Sequence, residues 1–259
     1  MNKKHIAFIY EGERAERQLI ENLCANFFDE QADVSIIAFP AKGNIYMLWT
    51  RLKADEFETN VIDVVREMNP DAKKMLENKK TSGFSEVYLF FDYDAHNNNI
   101  PREYTNMDIL LNMLQTFDNE TELGKLYVSY PMIESLREIS VEKEIYQTLS
   151  VPIQNNKYKN YVSAYRDFQN FSRISLPMWQ IACRASACRA NLIVQKSDTL
   201  PNYDSFINCL TQERIYRAQL LNFVKPKQEV GVINGVPIFL LEYFDNKFWK
   251  TVMGQDFQH

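Results

Sequence analysis

Hydrophobic positions in this chain fall into short unbroken runs that alternate with longer stretches of helical spacing. Residues 5–10 form a brief, largely apolar run that stops at Glu11-Gly12, the pattern of a short buried strand. From Glu13 to Asp29, Leu19, Ile20, Leu23, Phe27 and Phe28 recur three and four apart with charges between them, which predicts an amphipathic helix. VSIIAF at 34–39 predicts a second strand, stopped by Pro40 and a Lys42-Gly43 turn. Helical spacing then runs from Asn44 to about Lys80, broken near Asn69-Pro70 and ended by Thr81-Ser82-Gly83. A third strand is expected over Glu86–Phe91, a helix from about Arg102 to Phe117, a fourth strand over Leu126–Ser129, and a helix from Met132 to Leu149.

Strands alternating with helices predict an α/β fold, a mostly parallel sheet with helices on both faces and right-handed crossovers. After Pro152 the texture changes. Asn, Tyr and Gln crowd 153–171, helices are expected over about Pro177 to Val194 and Asp204 to Phe223, and EVGVINGVPIFLLEYF reads as a hairpin turning at Asn234-Gly235. The expected organisation is therefore an α/β domain over 1–150, with a helical insertion at about 44–80, followed by a mainly helical region over 151–259 that ends in the hairpin.

Composition narrows the class. With 259 residues and 46% hydrophobic content the chain can bury a sizeable core, and no apolar run approaches the roughly 18 residues of a membrane span. The apolar stretch near the N-terminus is too short for a secretory signal, so the expected location is cytoplasmic, without a membrane partner. Cys24, Cys183, Cys188 and Cys209 lack zinc-knuckle spacing and read as buried thiols. The net charge of −5 hides an asymmetry: residues 1–150 carry 16 Lys+Arg against 26 Asp+Glu, residues 151–259 carry 13 against 8. An acidic half and a basic half suit either a site that holds a cation beside a surface that meets a polyanion, or simply solvated helix faces.

The acids themselves stand at informative places. Glu11 ends the first strand, and Asp92 and Asp94 end the third. In open α/β sheets ligands gather at the carboxyl ends of the strands, so topology brings together acids that lie far apart in sequence. Carboxylates gathered there suit a hard divalent cation, Mg²⁺ or Mn²⁺, and Mg²⁺ needs only one or two of them because it keeps several waters. Glu11 also stands where it can act as base toward a water nucleophile. Gly12 permits a tight turn and the approach of a phosphate.

The order strand, Glu11-Gly12, helix, and later strand, Asp92-Tyr93-Asp94, resembles the Toprim domain of topoisomerases, DnaG-type primases and the OLD and RloB nuclease families. Tyr130-Pro131-Met132-Ile133-Glu134 is similar to the Asn-Pro-x-Phe-Glu segment of RloB-like proteins. The resemblance covers roughly residues 5–150. It departs in two places: the interval from Glu11 to Asp92 is long, and the second acid of Glu-Gly-x-x-Glu falls at Ala15, with Glu16 one position later. The resemblance implies a Mg²⁺-dependent nuclease with Glu11, Asp92 and Asp94 catalytic, and Glu134 and Glu16 as further metal ligands, enough for a two-ion clamp. It also implies a role in bacterial anti-phage defence, DNA or RNA (tRNA included) as substrate, and a separate ATPase subunit, since no P-loop is present here. A homodimer is compatible with it.

For nucleic-acid contact the residues offer Lys42 after the second strand, His96 after Asp94, and Arg184, Arg189, Arg214 and Arg217 in the basic half, with Arg173 and Lys196 as further cations. Tyr158, Tyr161, Tyr165, Phe168 and Phe171 are spaced either as stacking platforms for bases or as core, and core is the commoner use. Two other classes fit part of the pattern. A glycosyltransferase explains Asp92 and Asp94 but not Glu11, and a Toprim-shaped interaction module without turnover accommodates the displaced Glu16.

Overall fold

The computed structural model describes residues 4–12, 14–28, 34–93, 106–154 and 157–254. It divides into two compact units, 1–126 and 127–259. In the first, β1 (Lys4–Tyr10) leads through α1 (Ala15–Phe27) to β2 (Val34–Pro40), and α2 (Ile45–Ala54), α3 (Val61–Met68) and α4 (Pro70–Met75) fill the interval to β3 (Phe84–Asp92). Next come α5 (Asn106–Thr116), β4 (Asp118–Asn119) and β5 (Gly124–Ser129). The strands form a mostly parallel sheet in the order β2-β1-β3-β5-β4, so the α/β expectation holds.

β1 is an interior strand, parallel to β2 on one side (Tyr10 opposite Pro40) and to β3 on the other (Tyr10 opposite Phe90). Ile6 to Tyr10 and Val87 to Phe91 are all buried. Strands covered on both faces need unbroken apolar runs rather than alternation, which is the pattern the sequence shows. Burying each such side chain contributes about 1.5–3 kcal/mol. On α1, Leu19, Ile20 and Leu23 are the buried stripe.

The interval 44–80 is helical as expected, but as three pieces, each opened by an asparagine. The side chains of Asn44, Asn60 and Asn69 accept from the backbone N–H of Met47, Ile62 and Asp71 respectively. Each satisfies an amide that the first turn leaves unpaired. Asn69 also donates to the Pro40 carbonyl at 2.6 Å, which fixes the start of α4 at the carboxyl end of β2.

The second unit begins within β5, at Tyr127, and continues with a 3₁₀ turn at Ile133–Glu138, then β6 (Ile139–Ser140), β7 (Ile145–Tyr146) and β8 (Ser150–Pro152). Helices α6 (Tyr158–Val162), α7 (Leu176–Gln195), α8 (Tyr203–Cys209) and α9 (Gln212–Gln219) follow. A π-helical turn at Leu220–Val224, α10 (Lys225–Lys227), β9 (Glu229–Gly231), α11 (Gly235–Tyr243) and α12 (Asn246–Met253) close it. The long α7 packs against α9, α11, α12 and β7. The division falls upstream of residue 150 because 133–152 pack with this unit: β8 pairs antiparallel with β9, and Tyr158 donates to Glu138.

Three expected elements differ. The helix over 132–149 is instead the 3₁₀ turn and the β6–β7 hairpin, whose turn places Glu144 at φ +55° with no Gly or Pro to signal it. The helix over 204–223 breaks at Thr211, whose hydroxyl accepts from the Arg214 N–H and opens a second helix. The terminal hairpin is a helix. Asn234 caps α11 by accepting from Val236, and donates to the Ile133 carbonyl at 2.8 Å. Gly235 is needed because a Cβ there would meet the Val128 carbonyl oxygen at 2.9 Å. An Asn-Gly before an all-apolar run fits a hairpin and a buried helix equally well by periodicity alone. Among the described residues, no helix is long and apolar enough to cross a membrane.

Candidate functional site

The chain leaves β1 toward β2 on one side and returns as β3 on the other, so the β1–β3 gap is where connection direction switches. Such switch points are where open α/β sheets bind ligands. Glu11 and Asp92 stand at this gap. The Glu11 N–H donates to the Phe90 carbonyl at 3.3 Å, extending the ladder past the end of β1. In return, the Asp92 N–H donates to Glu11 Oε2 at 3.2 Å. The Glu11 carboxylate is thus hydrogen-bonded to the main chain of Asp92 on the neighbouring strand, and both residues are half-buried.

Glu16 joins them from α1. Its carboxylate lies over Gly12: a Cβ at Gly12 would meet Glu16 Oε1 and Oε2 at 2.5 Å each. Only glycine leaves room for the side chain to reach back from the first helical turn. A carboxylate there also complements the helix macrodipole. The position one residue late for the Glu-Gly-x-x-Glu pattern still returns an acid to the Glu11-Gly12 corner.

Two buried tyrosines flank the acids in sequence, Tyr10 before Glu11 and Tyr93 after Asp92. Burial pushes the phenol of Tyr10 up to about 12, and that of Tyr93 also up to about 12. Neither therefore serves as a base near neutrality, which leaves the carboxylates as the corner's acid–base groups. Burial likewise raises the thiols of Cys24, Cys183 and Cys188 above their usual value, so none is a ready nucleophile.

Whether the residues suit a divalent ion can be judged from their chemistry. Glu11, Asp92 and Glu16 supply hard oxygen donors, and Gly12 leaves the space a side chain would fill. Among the described residues, no group of three His, Cys, Asp or Glu is drawn tightly enough to enclose an ion by itself. An ion here would be held by one or two of these carboxylates with water completing its shell, the usual habit of Mg²⁺. Asp94 and His96 lie outside the described residues.

The remaining candidates have other surroundings. Glu134, in the second unit, is buried and pairs with Lys159 at 3.1 Å, while its Oε2 has no hydrogen-bond partner among the described residues. The Lys42 ammonium sits 2.6 Å from Asp71, whose carboxyl it holds below its usual value by that hydrogen bond.

Arg189 is corrected from nucleic-acid contact to architecture. Only 7% exposed, its guanidinium donates to the carbonyls of Thr148, Leu149 and Tyr146 at 2.8–2.9 Å. Arg184 is likewise committed, donating to both oxygens of Glu144 and to the Val252 carbonyl. Arg214 and Arg217 are exposed, and Arg217 pairs with Glu213 at 2.6 Å. Of the aromatics, Tyr158, Phe168 and Phe171 are core, whereas Tyr161 is 44% exposed and hydrogen-bonds Tyr165.

No protein-family model, curated protein or solved structure matches the chain.

Proposed function

We propose that this chain is a divalent-metal-dependent nuclease of Toprim type that cleaves phosphodiester bonds in DNA or RNA. The observation that carries the reading is the 3.2 Å bond from the Asp92 N–H to the Glu11 carboxylate, made at the switch point of the sheet. Glu11 and Asp92 are the residues that would hold Mg²⁺ or Mn²⁺, with Glu16 beside them. When bound, such an ion supplies Lewis-acid polarisation of a phosphoryl oxygen. The chain's own part is orientation and proton handling. The Asp92 N–H fixes the Glu11 carboxylate before substrate arrives, so little reorganisation is needed during reaction. In this reading Glu11 takes the proton from attacking water.

A nucleotide-sugar transferase built on Asp92 and Asp94 alone gives Glu11 no role, although the hydrogen bond makes it part of the same corner. The Toprim resemblance adds a separate ATPase subunit and a place in bacterial anti-phage defence to the proposal. The test is incubation of plasmid, single-stranded DNA and tRNA with the protein in Mg²⁺ or Mn²⁺, beside Glu11→Ala and Asp92→Ala. Cleavage by the wild type alone is expected. Equal cleavage by all three rejects the reading.

A further inference from the structure

The first unit is acidic, yet one face of its helical interval is not. A cleft of about 450 Å³ opens where α3, α4 and the turn after α4 meet, and four cations line it, Arg66, Lys73, Lys74 and Lys79, against one carboxylate, Glu77. Pro70 and Leu76 supply the apolar part of its lining. Lys73 and Lys74 are exposed and Lys79 is half-buried. Among the described residues none of these three ammonium groups makes an ion pair, in contrast to Lys42, Arg184 and Arg217.

The cleft is built rather than incidental. Arg66 donates to Asp63 at 2.6 Å and to the Thr81 hydroxyl at 2.8 Å, and its other nitrogen donates to the carbonyls of Leu76 and Lys79. It thereby ties the turn after α4 to α3 and holds the lysine-bearing wall open. Its guanidinium is spent on this, so the cleft offers no planar fork for a carboxylate. What it offers is three ammonium point charges, which suit phosphates read by charge. Among the described residues no aromatic side chain lines it, so they offer no platform for stacking a base.

Position supports the same ligand. Asn69 anchors the start of α4 to the Pro40 carbonyl at the carboxyl end of β2, and the Ala41 N–H donates to the Tyr10 carbonyl at 2.8 Å, one residue before Glu11. The Pro70 end of the cleft therefore lies at the same sheet end as the acids, one strand over, while Lys79 leads back toward the start of β3.

We infer that this cleft is a binding surface for the phosphate backbone of a nucleic-acid strand, with Lys73, Lys74 and Lys79 as its contacts. The identity of the ligand rests on the nuclease reading; the basic cleft stands independently of catalysis. Anisotropy of fluorescently labelled single-stranded DNA, RNA and duplex oligonucleotides, titrated with the full chain in EDTA at several KCl concentrations, measures binding without turnover. The comparison is wild type, the triple variant Lys73→Ala/Lys74→Ala/Lys79→Ala, and the triple Lys→Arg variant. Removing three ammonium groups that each neutralise a phosphate should flatten the slope of log K against log [KCl] by about 2 for single strands and about 3 for duplex. At least a tenfold weaker affinity for the Ala variant at low salt, with rescue by the Arg variant, is expected.

Unchanged affinity and slope in the Ala variant overturns the inference, as does a wild type that binds none of the three. Displacement by polyglutamate as effective as by unlabelled oligonucleotide also overturns it, since the surface would then serve an acidic protein. The cleavage assay separates the two claims. Lysine-dependent binding without cleavage leaves the cleft and removes the nuclease, whereas cleavage with lysine-independent binding does the reverse.

Discussion

Replacing Glu11 by Gln tests the acidic corner with little change in shape. The Gln amide oxygen can still accept from the Asp92 N–H that Glu11 Oε2 accepts at 3.2 Å. A charged acceptor is worth about 1.5–3 kcal/mol and a neutral one about 0.5–1.5, so the bond weakens by about 1 kcal/mol. Relief of repulsion among neighbouring half-buried carboxylates offsets a loss of that order. The metal-free melting temperature should therefore move by no more than about 3 °C. Metal addition should separate the proteins. An ion at a hundred times its Kd stabilises the native state by about 2.7 kcal/mol, which is roughly 5–10 °C for a chain of this size. Wild type should show that rise in Mg²⁺ or Mn²⁺ against EDTA by differential scanning fluorimetry. Glu11→Gln, with its Kd raised tenfold or more, should retain no more than about half of it. An undiminished rise in the variant would refute ligation by Glu11. A variant that fails to fold without metal would show that the carboxylate serves architecture instead.

Three further outcomes follow from the geometry. Gly12→Ala should fold with stability within about 1 kcal/mol of wild type, because the atoms its Cβ meets are the mobile end of Glu16. By titration calorimetry it should lose as much Mn²⁺ affinity as Glu16→Ala, and wild-type affinity would remove Glu16 from the site. Arg189→Ala strands one buried and two half-buried carbonyls and should cost on the order of 3 kcal/mol in urea denaturation, whereas a loss under about 0.5 kcal/mol would contradict its architectural role. The hydrogen bond from Arg184 holds the Glu144 carboxyl below its usual 4.5. The stability this adds is present above pH 4.5 and disappears as pH falls through the lower folded value. Glu144→Gln should therefore cost up to about 1 kcal/mol at pH 7 and almost nothing once wild-type Glu144 is protonated; a cost independent of pH would contradict this.

The acidic corner is legible in the sequence because it depends on features that sequence carries well. Two unbroken apolar runs mark strands buried on both faces, and parallel topology then forces their carboxyl ends together, with Glu11 and Asp92 on them. Glu16 is legible only as an acid out of register, because its reach back over Gly12 is a matter of side-chain length and an absent Cβ. The second unit is harder. Asn234-Gly235 has the signature of a hairpin turn, but the buried bond from Asn234 to the Ile133 carbonyl and the close approach of Val128 to Gly235 make it a helix start. Those contacts are remote in sequence and leave no local pattern. Arg189 has the sequence surroundings of a surface cation because charge does not reveal burial; its three carbonyl partners come from the β7–β8 segment, whose spacing predicts helix. The lysines of the basic cleft have a visible signal in the pairs Lys73-Lys74 and Lys79-Lys80. The strongly acidic balance of the surrounding residues masks it.

Anomalous diffraction from crystals grown with Mn²⁺ bears most directly on the proposal that the ends of β1 and β3 hold a catalytic ion. The account predicts a manganese peak within about 2.0–2.5 Å of a carboxylate oxygen of Glu11 or Asp92. That peak should be absent in the Glu11→Ala/Asp92→Ala double variant. A peak elsewhere in the molecule with none at this corner, or one that persists there in the double variant, would contradict it.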